Sequence, residues 1–473
     1  MARCSRFTHP NLRRAAIAHG RRAWVAMPLL VAAATIAPVE AQRGGAPTSL
    51  PEFPVTVDSL ANGLKIILVE DHSVPVVSRY TYYHVGARNE RPGITGISHY
   101  IEHMMFNGAA KYGPKEFDRI LESHGGYSNA YTSEDMTAYY ENFASDVLEL
   151  SFDLDSDRMR SLAFDPQAVQ SELGVVREER RLSVDNSIDG LLYEELSALA
   201  YKAHPYQWGV IGWMSDLESI TRDDAVAYWK RYYAPNNAVL IVAGDFDTQE
   251  ALALAKRYYG DIPRQAPPEP VRTREPEQAG ERRAEFRKAA EMPRVLIGYH
   301  IGDVRSPDLV ALDVLQMILT DGESSRLYRK LVRELELAVY AAGGADWKID
   351  PALFTFDVQV RPDADPAAAE RAVYEELARI AAEGVDPAEL EKARNRLLAG
   401  FYRSIQTVND KGYEIGRYEI LFGDYRELFR MQDRYRAVTM DDVKRVAGQY
   451  FAETNRNVVT LIPASDESAQ TTR

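Results

Sequence analysis

One five-residue run in this 473-residue chain has residue types and a spacing that could do chemistry: His99-Tyr100-Ile101-Glu102-His103. The segment from Ile94 to Gly108 reads as a helix, because apolar Ile97, Ile101, Met104 and Met105 recur at helical spacing and Gly108 suits a left-handed stop. On such a helix His99, Glu102 and His103 sit at i, i+3 and i+4, on one face. Two imidazoles could then share an ion while Glu102 points at the solvent ligand beside it. The alternative is two surface histidines flanking a glutamate. With nine His in the chain, an HxxEH run arises by composition alone about once in a hundred sequences. Borderline-soft Zn²⁺ suits two imidazoles plus a carboxylate, with water as the fourth ligand. No further His lies in the following turns, so the third ligand must come from elsewhere.

Composition limits where that carboxylate can be and which partners fit. Residues 1–41 hold six Arg, one acid (Glu40) and an apolar run from Ala23 to Ala37, and Val39-Glu40-Ala41 makes a small-x-small site. This is the pattern of a signal peptide, with an uncleaved anchor as the alternative. Arg13-Arg14 and Arg21-Arg22 leave a twin-arginine route open beside the general one. Removal of this segment, with its six positive and one negative charges, deepens the net charge from -14 to -19. Such a surface repels nucleic acid and anionic lipid, so the expected partners include neither, and no membrane segment is expected after cleavage. The single cysteine, Cys4, leaves with the signal, so any metal must be held by His and carboxylates in a periplasmic or secreted protein.

The chain is also duplicated. Thr221-Arg222-Asp223-Asp224-Ala225 and Tyr232-Tyr233-Ala234 recur 218 residues later as Thr439-Met440-Asp441-Asp442-Val443 and Tyr450-Phe451-Ala452. Phe164-Asp165-Pro166 pairs with Val385-Asp386-Pro387, and Met104 to Gly108 pairs with Ile318 to Gly322. A hairpin is expected from Val55 to Val69 around Asn62-Gly63, followed by a strand over Val76 to Val85. Helices are expected over Pro366 to Ala382 and Pro387 to Tyr402. The class is α+β, with two homologous domains, each a largely antiparallel sheet with helices packed on one face. The expected layout is a signal peptide (1–41), a first domain (50–262), a Pro-rich charged linker (263–283), a second domain (284–463) and a polar tail (464–473).

The HxxEH run resembles that of the pitrilysin and insulinase family of zinc metallopeptidases, in which it inverts the commoner HExxH. The resemblance spans residues 50 to 463. That family has a third zinc ligand, a glutamate, 76 residues after the second His, which here is Glu179, and an acid seven residues before it, matched by Glu172. Seven residues is two helical turns, so the two could converge. Without the family, this stretch reads as an acidic, solvated helix face. The resemblance also picks out Arg333 and Tyr340, a pair that grips substrate in family members. Their ordinary reading is a helix arginine and a buried tyrosine. Gly126 to Ser133 is similar to the family's edge strand, whose Asn-Ala pair, here Asn129 and Ala130, binds substrate backbone.

The resemblance implies Glu102 as the general base that activates a zinc-bound water for peptide-bond hydrolysis, acting on peptides or unfolded polypeptides. It also implies that two domains are half of a four-domain clamshell, completed by a homodimer or by a heterodimer with a related subunit. In the second half the equivalents of His99, Glu102 and His103 are Asp313, Gln316 and Met317, and Glu172 and Glu179 become Ala393 and Gly400. No zinc can bind there. The competing reading is a non-catalytic structural or peptide-binding subunit of the same fold.

Overall fold

The computed structural model describes residues 53–464; the expected signal peptide and the tail beyond Ala464 lie outside them. The described residues form eleven strands in two sheets, with apolar, β-branched runs at the sheet centres and more polar or small residues at the edges. The first contains β1 (Thr56–Ser59), β2 (Lys65–Glu70), β3 (Val76–Tyr83), β4 (Tyr127–Thr132), β5 (Thr137–Ala144) and β6 (Ala238–Gly244), in the order β1-β2-β6-β3-β5-β4. The second contains β7 (Arg282–Lys288), β8 (Arg294–His300), β9 (Ala338–Ala345), β10 (Leu353–Val360) and β11 (Arg456–Pro463), in the order β7-β11-β8-β10-β9. Apart from β1 the sheets match strand for strand, and the one parallel contact in each, β2 with β6 and β7 with β11, falls at the same place.

The β1–β2 hairpin turns at Asn62-Gly63, where Gly63 takes φ +94°. β6 runs Ala-Val-Leu-Ile-Val-Ala-Gly with every residue buried, as a strand covered on both faces requires. The two long helices form as expected over Pro366–Glu383 and Pro387–Arg403, each opening with Pro behind an Asp at the N-terminus. The linker segment has no regular structure until β7 begins at Arg282, and Glu275 within it accepts hydrogen bonds from the backbone N–H groups of Lys202, Ala203 and His204.

Each half packs its own helices on one face of its sheet and lends one helix to the other half's second face. On the first sheet Ile66, Leu68, Leu240 and Val242 pack with Ile97, Tyr100, Ile101 and Met104 of the HxxEH helix. The opposite face, with Ile67, Tyr80, Tyr82 and Ile241, is covered by the helix Val408–Phe422 from the second half. Gly412 and Gly416 lie at that contact, and a Cβ on Gly416 would come within 2.0 Å of the Tyr82 ring. Two helical glycines cost roughly 1 kcal/mol of propensity each, and in return the helix lies directly on the tyrosines. Reciprocally, the helix Ile188–Ala200 of the first half sets Leu192, Leu196 and Ala200 against Leu296, Val459 and Leu461 of the second sheet. Fully burying such side chains is worth about 1.5–3 kcal/mol each. The exchange is pinned by ion pairs of Lys411 with Asp71, of Lys65 with Glu419 at 2.6 Å and of Arg294 with Asp189. The halves make one compact unit.

Candidate metal centre

The HxxEH helix spans Ile97–Met104, shorter at both ends than the sequence pattern. Gly96 starts it at φ +85°, and the left-handed Gly108 lies four residues beyond its end, in a turn against Pro114. Two carboxylates hold the start. Glu90 accepts from the N–H groups of Gly96 and Ser98, both at 2.8 Å, and Asp216 accepts from those of Gly93 and Thr95 at 3.0 and 3.1 Å. The exposed amides and the macrodipole favour a charged Glu90, while burial outweighs them and pushes its pKa up to about 8.

The helix brings its imidazoles to Glu179, which is near the end of the helix Pro166–Arg180. One ligating atom from each of His99, His103 and Glu179 lies within 4.8 Å of the others, the one such group of three among the described residues. Glu179 Oε2 is 3.8 Å from His99 Nε2 and 3.3 Å from His103 Nε2. Donors at about 2.0–2.2 Å from a tetrahedral zinc stand about 3.3–3.5 Å apart, so the spacing fits the ion. Glu179 Oε2 is buried without a well-formed hydrogen bond, an orphan that a cation would satisfy.

Surrounding groups fix these side chains. Glu172 Oε1 takes a hydrogen bond at 2.8 Å from His103 Nδ1, leaving Nε2 for the cluster, and Asn107 Nδ2 donates to the other Glu172 oxygen at 3.0 Å. Burial alone would lower the His103 pKa, but its contacts with Glu172 and Glu179 push it up to about 10. Burial, with His103 beside it, takes His99 down to about 3. Glu102 is pushed up to about 7 by burial, against the Thr132 hydroxyl, which donates to its Oε2 at 2.5 Å.

Asn129 and Ala130 lie on β4, the edge strand of the first sheet. Ala130 faces the HxxEH side, while the Asn129 side chain turns to Tyr127 OH at 3.1 Å. Arg333 and Tyr340 are not brought to the cluster: among the described residues neither has a hydrogen bond, ion pair or ring contact with it. Arg333 lies in a π-helical turn, Tyr328–Glu334, paired with Glu323 at 2.7 Å and over the Tyr328 ring. Tyr340 is on β9, the edge strand of the second sheet, and at 47% exposure it is not the buried tyrosine of its ordinary reading. Sequence reasoning gave no role to Thr132, Asn107 or Glu90. Asn107 had a signal in its helical spacing from His103; Thr132 and Glu90 had none.

A duplicated α+β chain with two His and one Glu around a cation-sized gap is a zinc peptidase of the inverted-motif kind. Residues 65–212 match the family described as Insulinase (Peptidase family M16), and residues 219–397 match Peptidase M16 inactive domain. The chain is 32% identical over 410 residues to the zinc protease PqqE of Helicobacter pylori, covering 86% of this chain and 92% of that protein. It is 25% identical to the mitochondrial-processing peptidase subunit beta of Lentinula edodes, over 84% of this chain and 87% of that one. The crystal structure of a protease from Helicobacter pylori superposes with a TM-score of 0.84 at 31% identity, covering 87% of this chain and 99% of that one. The chain therefore belongs to the insulinase family and is a zinc metallopeptidase with Zn²⁺ as its cofactor.

Proposed function

We propose that this chain is an exported metalloendopeptidase that cuts peptides or unfolded polypeptides, with His99, His103 and Glu179 holding the zinc and Glu102 as general base. The observation that carries this reading is the three-donor cluster, with Glu179 Oε2 buried without a well-formed hydrogen bond. When bound, Zn²⁺ acidifies a water and polarises a carbonyl. Glu102 takes the proton of the attacking water and returns it to the leaving amine. Glu172 keeps the proton of His103 on Nδ1. The edge of β4 at Asn129 and Ala130 pairs with an extended substrate once the Asn129 side chain, whose Oδ1 accepts from the Ala130 N–H at 2.9 Å, turns aside.

Arg333 and Tyr340 act on substrate across a homodimer, each copy supplying the pair to the other's zinc in a closed twofold arrangement. Their exposure and distance in contacts from their own cluster support this reading. The alternative, a non-catalytic structural or peptide-binding subunit, suits the second half, whose donors are gone. The first half keeps every donor. No described helix is long and apolar enough to cross a membrane, and the Arg-rich, apolar N-terminal segment supports delivery to the periplasm or outside.

The test is the purified chain alone: one zinc per chain and cleavage of a quenched peptide, stopped by a chelator, support the enzyme, whereas a zinc-free, inert protein supports the alternative. Mixing inactive Glu102→Gln chains with inactive Arg333→Ala, Tyr340→Phe chains restores activity if the pair acts in trans. If mixing restores nothing while subunits exchange, the pair does not act across the dimer.

A further inference from the structure

Thr132 is the last residue of β4, the strand proposed above to take the substrate backbone. Side chains alternate along it. Tyr127, Asn129 and Tyr131 turn to the face covered by the Val408–Phe422 helix, where Tyr131 meets Tyr82 and Tyr413, while Ala130 and Thr132 turn to the HxxEH side. Thr132 Oγ1 lies 2.5 Å from Glu102 Oε2. Its cross-strand neighbour Thr137 donates its own proton to the Val85 carbonyl at 2.9 Å and so can only accept from Thr132, at 3.4 Å, a far longer contact than the 2.5 Å to Glu102. An ionised carboxylate only accepts, which fixes the direction of the Thr132 bond.

The second half is an internal control. By sheet register β9 and β10 repeat β4 and β5, and the residue in Thr132's place is Ala345, opposite Phe354 as Thr132 is opposite Thr137. Glu102's counterpart is Gln316, which there accepts only from the Ala345 backbone N–H, at 3.4 Å. In the half without metal donors, the hydroxyl and the carboxylate it serves are both missing, although the strand and the helix in their places remain. Fold alone therefore does not demand a threonine here.

We infer that Thr132 is a positioning residue for the general base: its hydroxyl holds Glu102 toward the attacking water and ties the orientation of the base to the strand that seats the substrate. This rests on the proposed peptidase reading. A hydroxyl-carboxylate bond is charge-assisted and short, and groups of this kind around a metal centre typically cost 10–100-fold in activity when removed. A peptide added to β4 pairs with backbone two residues from Thr132, so a seated substrate stiffens the strand that aims the base.

Thr132→Val removes the hydroxyl, keeps the shape and favours a strand, so the fold is spared. On a quenched peptide it is expected to lower kcat about 10–100-fold with KM nearly unchanged. Zinc content, resistance of the zinc to a chelator titration and Tm should match the parent, and Thr132→Ser should restore kcat to within a few-fold. Parental kcat in Thr132→Val would overturn the assignment. So would a loss that comes with zinc or Tm, or one that Thr132→Ser shares in full, since each marks a structural role. Failure of the peptidase reading would show separately, as a zinc-loaded parental chain that cuts nothing.

Discussion

The two halves of this chain share one architecture and treat the same buried positions in opposite ways. In the first, His99 and His103 turn their Nε2 atoms toward Glu179 Oε2, which is buried without a well-formed hydrogen bond. In the second, the position of His99 holds Asp313, whose carboxylate accepts from Trp347 Nε1 at 3.2 Å and Tyr435 OH at 2.8 Å. Burial pushes Asp313 up to about 6 against those bonds. At this position one copy satisfies its carboxylate with two donors, and the other points an imidazole Nε2 at a second imidazole and a carboxylate, as an ion requires. Other buried atoms without hydrogen bonds lie in both halves, among them Ser325 Oγ and Asn457 Oδ1, so it is the convergence of two imidazoles on Glu179 that marks the site without reference to any relative.

The strongest way to break the comparison is to remove a donor in each half. His103→Ala and Glu179→Ala should lose zinc and fall to background hydrolysis. Asp313→Ala should keep zinc and turnover per folded chain while losing about 1–3 kcal/mol in urea unfolding, because two buried donors lose their acceptor. Zinc retained by Glu179→Ala would move the third ligand to a neighbouring acid.

A smaller effect is expected at Glu172, which touches His103 but not the ion-sized gap. Glu172→Gln should lower kcat/KM about 10–100-fold and leave the fold intact. A parental rate would make Glu172 a bystander.

Two glycines sharpen the comparison of packing. Gly416→Ala drives a methyl into the Tyr82 ring and should cost about 1–3 kcal/mol. Gly174→Ala, on the helix of Glu179 with nothing within 4 Å of a new Cβ, should stabilise by up to about 1 kcal/mol. Equal Tm changes would contradict the close approach of the exchanged helix.

The smallest effect is acid-dependent. The Lys411 hydrogen bond, with Ser73, holds Asp71 down to about 2, below its usual 3.8. A depressed carboxylate pKa stabilises the fold above pH about 4 and loses that contribution as pH falls toward 2. The gap in urea midpoint between parent and Lys411→Met should be open at pH 7 and close by pH 2. A gap that is constant with pH would assign Lys411 a packing role only.

How much of this was legible in the sequence follows from range. The HxxEH run, the two long helices and the Asn62-Gly63 hairpin are local patterns, and the sequence shows them directly. The duplication is visible as repeated caps and strands, and with it the loss of donors in the second half. Glu179 needed a family spacing, because a helix face of acids looks solvated until its partner is known. The exchanged helices were not legible: nothing local at Gly412 and Gly416 points to Tyr80 and Tyr82, more than 300 residues away, on which they lie. Nor was the fully buried network of Arg79 with Glu141 and Asp155, whose members each look like surface charges. Thr132 falls within the stretch that resembles an edge strand, but its hydroxyl has meaning only opposite Glu102.

The central claim, that Glu102 acts as the base at a zinc held by His99, His103 and Glu179, is tested most directly by zinc content and turnover measured together on Glu102→Gln. One zinc per chain with turnover reduced about 10²–10⁴-fold is the predicted result, because the donors remain while the proton acceptor is gone. Hydrolysis at the parental rate by the zinc-loaded variant would contradict it.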